Sequence, residues 1–181
     1  MRIVAGSAKG TRLAPVPAGT RPVSDRAREG LFSSLGGRVE EARVLDLFAG
    51  TGAMGIEALS RGAASALFVD SAPQAVAAIE QNLQRTKLAE RATVRRQDVL
   101  RALRQGIGSF DLVVLDPPYR VPDAYLDAVL TEIAGQGAAD PGASVVLTRS
   151  DRSYTPVIPL NWLVERRLSY GDSAVLIFQT P

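Results

Sequence analysis

Two residue types are missing altogether. No cysteine occurs among the 181 residues, so disulfides, thiolate metal sites and cysteine nucleophiles are excluded. No histidine occurs either, which removes a histidine base, a Ser–His–Asp triad and a histidine-ligated metal. Lysine is confined to Lys9 and Lys87. No apolar run approaches the roughly 20 residues that a membrane span needs. The opening Met1-Arg2-Ile3-Val4 turns polar at once, without a secretory pattern. A cytoplasmic protein is expected, with no metal and no membrane partner. Its chemistry must rest on carboxylates, hydroxyls, backbone groups or a bound cofactor. What remains, 46% apolar and 22% charged residues, suits one domain with a small appendage.

The net charge of +2 hides an asymmetry. Between Met1 and Arg38 stand seven basic residues and two acids, a local +5 that leaves −3 on the rest. A basic head on a mildly acidic body predicts a polyanion partner. Residues 2–5 and 12–14 are short β-prone runs joined through Gly6 and Gly10, which predicts a hairpin with Lys9 and Arg12 near its tip. Pro15, Pro17, Gly19 and Pro22 then read as an extended linker. The expected division is a basic RNA-binding hairpin and linker over residues 1–22, then the main domain over 23–181 with a leading helix at 24–35. Ser24 can cap that helix; Ala27, Leu31, Phe32 and Leu35 form its buried face, and Gly36-Gly37 ends it. Arg26 and Arg28 are read as lying off that face. With Arg2, Lys9, Arg12 and Arg21 they are the candidate RNA contacts.

Strand and helix signals alternate to about residue 150. Strands are predicted at 43–48, 65–70, 93–97, 110–115 and 144–147, with helices between them. Ser71 can cap the helix carrying Val76, Ile79 and Leu83. Two further strands, 163–169 and 174–179, are separated only by Tyr170-Gly171-Asp172-Ser173, too short for a helix. The pattern predicts an α/β fold: a doubly wound, mostly parallel seven-stranded sheet closed by an antiparallel C-terminal hairpin.

Three strands carry an acid at or near their ends: Asp46, Asp70 and Asp98. After Asp46 comes a glycine turn, Gly50-Thr51-Gly52-Ala53-Met54-Gly55. Its spacing matches a dinucleotide fingerprint, so a nicotinamide or flavin enzyme is a rival. Asp46 opposes that rival, because a carboxylate repels a pyrophosphate and attracts an ammonium. S-adenosylmethionine fits better: a cationic end for Asp46, ribose hydroxyls for Asp70, an adenine amine for Asp98. The full set of candidate donor contacts is Asp46, Phe48, Gly50, Thr51, Gly52, Asp70, Ser71, Asp98 and Val99.

The strand Phe110 to Leu115 ends in Asp116-Pro117-Pro118-Tyr119. Neither proline can donate to a ladder, so the strand stops there. At the carboxyl edge of an α/β sheet this is a ligand position. Asp116 and the Pro117 carbonyl can accept the two N–H bonds of an exocyclic base amine, Pro118 stiffens the loop, and Tyr119 can stack on a flipped base. The motif alone leaves guanine N2, adenine N6 and cytosine N4 open.

With these segments in view, the chain resembles the bacterial 16S ribosomal RNA guanine-N2 methyltransferases of the RsmD type over essentially its whole length. The resemblance rests on Arg2-Ile3-Val4-Ala5-Gly6, Arg21-Pro22 through Asp25-Arg26-Ala27-Arg28-Glu29, Val44 through Gly55, Glu57 through Ala63, Asp116 through Tyr119, and Tyr170-Gly171-Asp172. It implies a class I S-adenosylmethionine-dependent methyltransferase with S-adenosylhomocysteine as product. The implied target is N2 of one guanine in 16S rRNA, within the small subunit or its assembly intermediate. Neighbouring ribosomal proteins are possible partners, and the enzyme is expected to be a monomer. Val23, Ser33, Thr148 and Gly30 depart from the family pattern. The rivals are an RNA or DNA adenine-N6 or cytosine-N4 methyltransferase, a nicotinamide enzyme, and a non-catalytic RNA-binding protein.

Overall fold

A computed structural model describes residues 1–15, 23–150 and 154–181. In chain order these form α1 (Asp25–Leu35), β1 (Arg43–Leu47), α2 (Ala53–Ser60), β2 (Ser65–Asp70), α3 (Pro73–Thr86), β3 (Ala92–Arg96), α4 (Val99–Arg104), β4 (Phe110–Leu115), α5 (Asp123–Gly135), β5 (Ala139–Ser150), β6 (Leu163–Tyr170) and β7 (Ser173–Gln179). One seven-stranded sheet runs β3-β2-β1-β4-β5-β7-β6. β1 to β5 pair parallel with one another, and β7 is antiparallel to both its neighbours, β5 and β6. β1, β2, β4 and β5 place apolar residues on both faces, whereas β3 offers Ala92 and Val94 to one face only. Val44, Phe68 and Val114 pack with α1 and α2, while Leu45, Leu47, Val113 and Leu115 pack with α4 and α5. No helix of the described residues is long and apolar enough to cross a membrane.

The chain's winding reverses between β1 and β4, which pair directly with Leu47 opposite Leu115. The loops that follow these two strands therefore start side by side, and the Asp116 N–H donates to the Leu47 carbonyl at 3.3 Å. A crevice at this switch point is the usual ligand position of such a sheet. β5 is longer than the sequence signal, because its start pairs with Phe110 through a register shift around Pro141-Gly142. Prolines and glycines hide that irregular stretch from a periodicity argument.

Ser24 caps α1 as expected, its Oγ accepting the Ala27 N–H at 3.2 Å. Arg28 is the correction on this helix. It is fully buried, not off the buried face. Its guanidinium donates to the Val23 carbonyl, the Arg2 carbonyl and Asp25, so it is closed to RNA. Residues 28, 31, 32 and 35 share one stripe at helical spacing, which the charge of Arg28 obscured. The N-terminal hairpin is also reduced. Residues 1–15 double back, but only Arg2 and Arg12 form a bridge outside the strands. Lys9 is at the turn, whereas Arg12 lies at the open end. The ladder is short because neighbouring helices take its backbone groups. Val4 and Ala5 N–H donate to Glu57 at 2.8 and 3.0 Å, and Ala8 N–H donates to Ser60 at 2.9 Å. Ile3, Ala8 and Leu13 join the core. The linker residues from 16 onward, Arg21 among them, lie outside the described residues.

Candidate active site

The loop after β1 is shaped by two glycines. Gly52 has φ +76° and is the N-cap of α2, a conformation that favours glycine. Gly55 has no room for a side chain, since an added Cβ would lie 2.4 Å from the Phe68 ring. This close approach lets the Gly55 N–H donate to Asp46 Oδ2 at 2.8 Å. Asp46 Oδ1 is buried and has no partner. Burial pushes the Asp46 carboxyl well above the usual range; the Gly55 N–H opposes that shift, and Asp116 and Asp70 add to it. An orphaned buried acceptor next to a glycine turn is what a cationic ligand end would complete.

Asp70 ends β2 and braces the same loop. Its Oδ2 accepts the Gly50 N–H and its Oδ1 the Ala72 N–H, each at 2.9 Å. Ser71 does not cap α3; Ala72 stands at that position without a side-chain bond, and Ser71 is exposed. Asp98 caps α4 through the Arg101 N–H at 2.9 Å and accepts the Tyr125 hydroxyl at 2.6 Å. Burial and Asp98 push Tyr125 up to about 12. The Tyr125 ring meets Phe48 edge-on at 6.3 Å. In the sequence Tyr125 reads only as a member of the apolar stripe with Leu126, Val129, Leu130 and Ile133.

Asp116 stands at the end of β4. Desolvation raises its carboxyl to about 6, partly offset by a hydrogen bond from Thr148. Pro117 is buried, and Tyr119 is half exposed. A cavity of about 290 Å³ is lined by Asp46, Phe48, Gly50 and Thr51 on one side and Asp116, Pro117, Pro118 and Tyr119 on the other. The two loops therefore face one space. Gly52, Asp70, Ser71, Asp98 and Val99 are not on that lining. Val99 is buried. Met1, Leu13, Pro15, Val23, Thr148, Arg149, Ser173 and Val175 also line the cavity, with Ala49 of the loop after β1 and Ala53 and Met54 of α2, without having been singled out as contacts. Ser173 could have been found, because it directly follows the Tyr170-Gly171-Asp172 turn already marked in the sequence.

The family described as conserved hypothetical protein 95 matches residues 1–179. The ribosomal RNA small subunit methyltransferase D of Escherichia coli strain K12 is 33% identical over 181 residues, covering 99% of this chain and 89% of that protein. The solved structure of yhhF from Escherichia coli superposes with a TM-score of 0.89 at 32% identity, covering 99% of this chain and 97% of the other. An RNA methyltransferase from Salinibacter ruber, solved with S-adenosyl-L-homocysteine, shares the fold at a TM-score of 0.69 and 18% identity, over 89% of this chain and 94% of that one. The sheet order and these likenesses make the fold that of the class I methyltransferases. A family match that spans nearly every residue, from the basic head through the Asp116–Tyr119 loop to the last strand, places the chain in the conserved hypothetical protein 95 family, the RsmD-type rRNA methyltransferases.

Proposed function

We propose that this chain is an S-adenosylmethionine-dependent methyltransferase acting on the exocyclic N2 amine of one guanine in 16S rRNA. The substrate is the small ribosomal subunit or an assembly intermediate, with neighbouring ribosomal proteins as further contacts, and the enzyme works as a cytoplasmic monomer. One observation carries the reading: Asp46, which holds an unpartnered buried oxygen, and the Gly50-Thr51 turn line one cavity with Asp116 and Tyr119. The small-subunit part is supported by the Escherichia coli relative named above.

The residues fit the methyl donor. Asp46 would meet its cationic amino-acid end, Asp70 its ribose and Asp98 its adenine amine. Asp46 Oδ1 makes no bond here, and the other oxygens of these three carboxylates keep acceptor capacity beyond the one bond each makes. When bound, the donor supplies a methyl group activated by a positive sulfur, leaving S-adenosylhomocysteine. The chain's own task is to hold and shape the acceptor nitrogen. An exocyclic amine is a poor nucleophile, because its lone pair is delocalised into the ring. The Asp116 carboxylate and the Pro117 carbonyl accept its two N–H bonds and favour a more tetrahedral nitrogen. Two consecutive prolines keep that geometry fixed. Tyr119 stacks on the base once it leaves its helix. Alignment of the reacting atoms supplies much of the acceleration.

The test is nucleoside mass analysis after unmethylated small subunits are incubated with enzyme and donor. N2-methylguanosine is the expected product; N6-methyladenosine or N4-methylcytosine would move the reading to the other amines. Asp116→Ala should bind S-adenosylhomocysteine within about twofold of wild type and lose transfer by roughly a hundredfold or more, as when a fixed transition-state contact is removed. Unimpaired transfer in that variant would contradict the role given to Asp116.

A further inference from the structure

We infer that Asn82 is a positioning residue that ties the donor loop to the N-terminal wall of the cavity, so that filling the loop orders the wall. The inference rests on the donor reading above. Asn82 sits on α3 and is fully buried. Its Oδ1 accepts the Ala14 N–H at 2.7 Å. Its Nδ2 donates to the Thr51 carbonyl at 2.9 Å and to the Ala14 carbonyl at 3.3 Å. One carboxamide thus bridges the loop after β1 and the end of the N-terminal segment. The bridged positions border the same cavity: Thr51 lines it directly, and Leu13 and Pro15 line it on either side of Ala14.

The residue type follows from the geometry. The site requires one acceptor and two donors within a single short side chain. Leucine would fill the volume and leave two buried carbonyls and one N–H unpaired. Aspartate would set a charge against two carbonyls. Of the other buried positions on this stripe, Ala75, Ala78, Ile79 and Leu83 are apolar, and the Thr86 hydroxyl is satisfied within the helix by the Asn82 and Leu83 carbonyls, so packing alone does not call for an amide here. The anchorage of the segment is also divided. Residues 4–8 are held by Glu57 and Ser60 on α2, while the cavity end at Ala14 is held by Asn82. A shift of Thr51 is therefore passed to Ala14 through one rigid planar group, with the rest of the segment still pinned.

The test is amide hydrogen exchange on the full chain with and without S-adenosylhomocysteine. Ligand should slow exchange at the Gly50 amide and also slow the Ala14 amide, by about fivefold or more if the coupling is of ordinary size. In Asn82→Ser the Gly50 response should persist and the Ala14 response should vanish. Should that variant not fold, the wild-type comparison decides alone. Protection at Gly50 with no change at Ala14 in wild type overturns the inference and leaves the methyltransferase reading standing, as does an Ala14 response that survives in a folded Asn82→Ser. Ligand that changes neither amide overturns both.

Discussion

Asp116 loses much of its hydration at the end of β4, and this lifts its carboxyl to about 6. The proposed role needs the ionised form as an acceptor. Transfer should therefore rise with pH through about 6 and level off above it. Thr148 donates to Asp116 and favours the charged form. In Thr148→Val that donor is gone, the carboxyl should titrate higher, and the acid limb of the kcat profile should move to higher pH. A limb that stays in place would separate the titrating group from Asp116. Gly30 sets a second test at this scale. An alanine there gains about 1 kcal/mol of helix propensity, yet its Cβ would lie 1.6 Å from the Tyr170 hydroxyl oxygen. Overlap should win, so Gly30→Ala is expected to lower Tm. In a Tyr170→Ala background the same change should raise Tm, and the double-mutant cycle reads the difference.

Among the elements, α1 shows how far a sequence pattern reaches. Its cap, its apolar positions and its glycine stop were all legible, and so was the strand–helix alternation that follows. Arg28 was not, because a charged side chain is so rarely buried that its place in the 28, 31, 32, 35 stripe was discounted. Glu57 and Asn82 escaped for the same reason: each is a polar residue on a mostly apolar helical face, answering backbone groups distant in sequence. The acid at the end of a strand and the glycine turn are local signals and could be read; a contact between residues 14, 51 and 82 is not local. The two arginines of α1 now separate in behaviour. Arg28→Ala would take the donor from the buried Val23 carbonyl and the part-buried Arg2 carbonyl and leave Asp25 with Arg2 alone, and is expected to cost about 2–4 kcal/mol in denaturant unfolding. Arg26 is exposed, so Arg26→Ala should leave stability within about 0.5 kcal/mol and weaken RNA binding.

For the whole molecule, the charge asymmetry can be tested by salt. The basic head and the cavity lie together, since Met1, Leu13 and Pro15 are part of the cavity wall. Replacing Lys9 and Arg12 with alanine should reduce the slope of log K against log salt by about 0.7–0.9 for each phosphate that is no longer neutralised. An unchanged slope would remove this segment from the RNA interface. The order of strands has another consequence. β7 comes after β6 in the chain yet is inserted between β5 and β6, and Ser173 and Val175 from it wall the cavity. During vectorial synthesis β5 must keep an unpaired border until β7 emerges. The basic head leaves the ribosome before β7 does, so the cavity stays open on one side until that late strand slots into the gap. On the function proposed above, methyl transfer has to wait for that step.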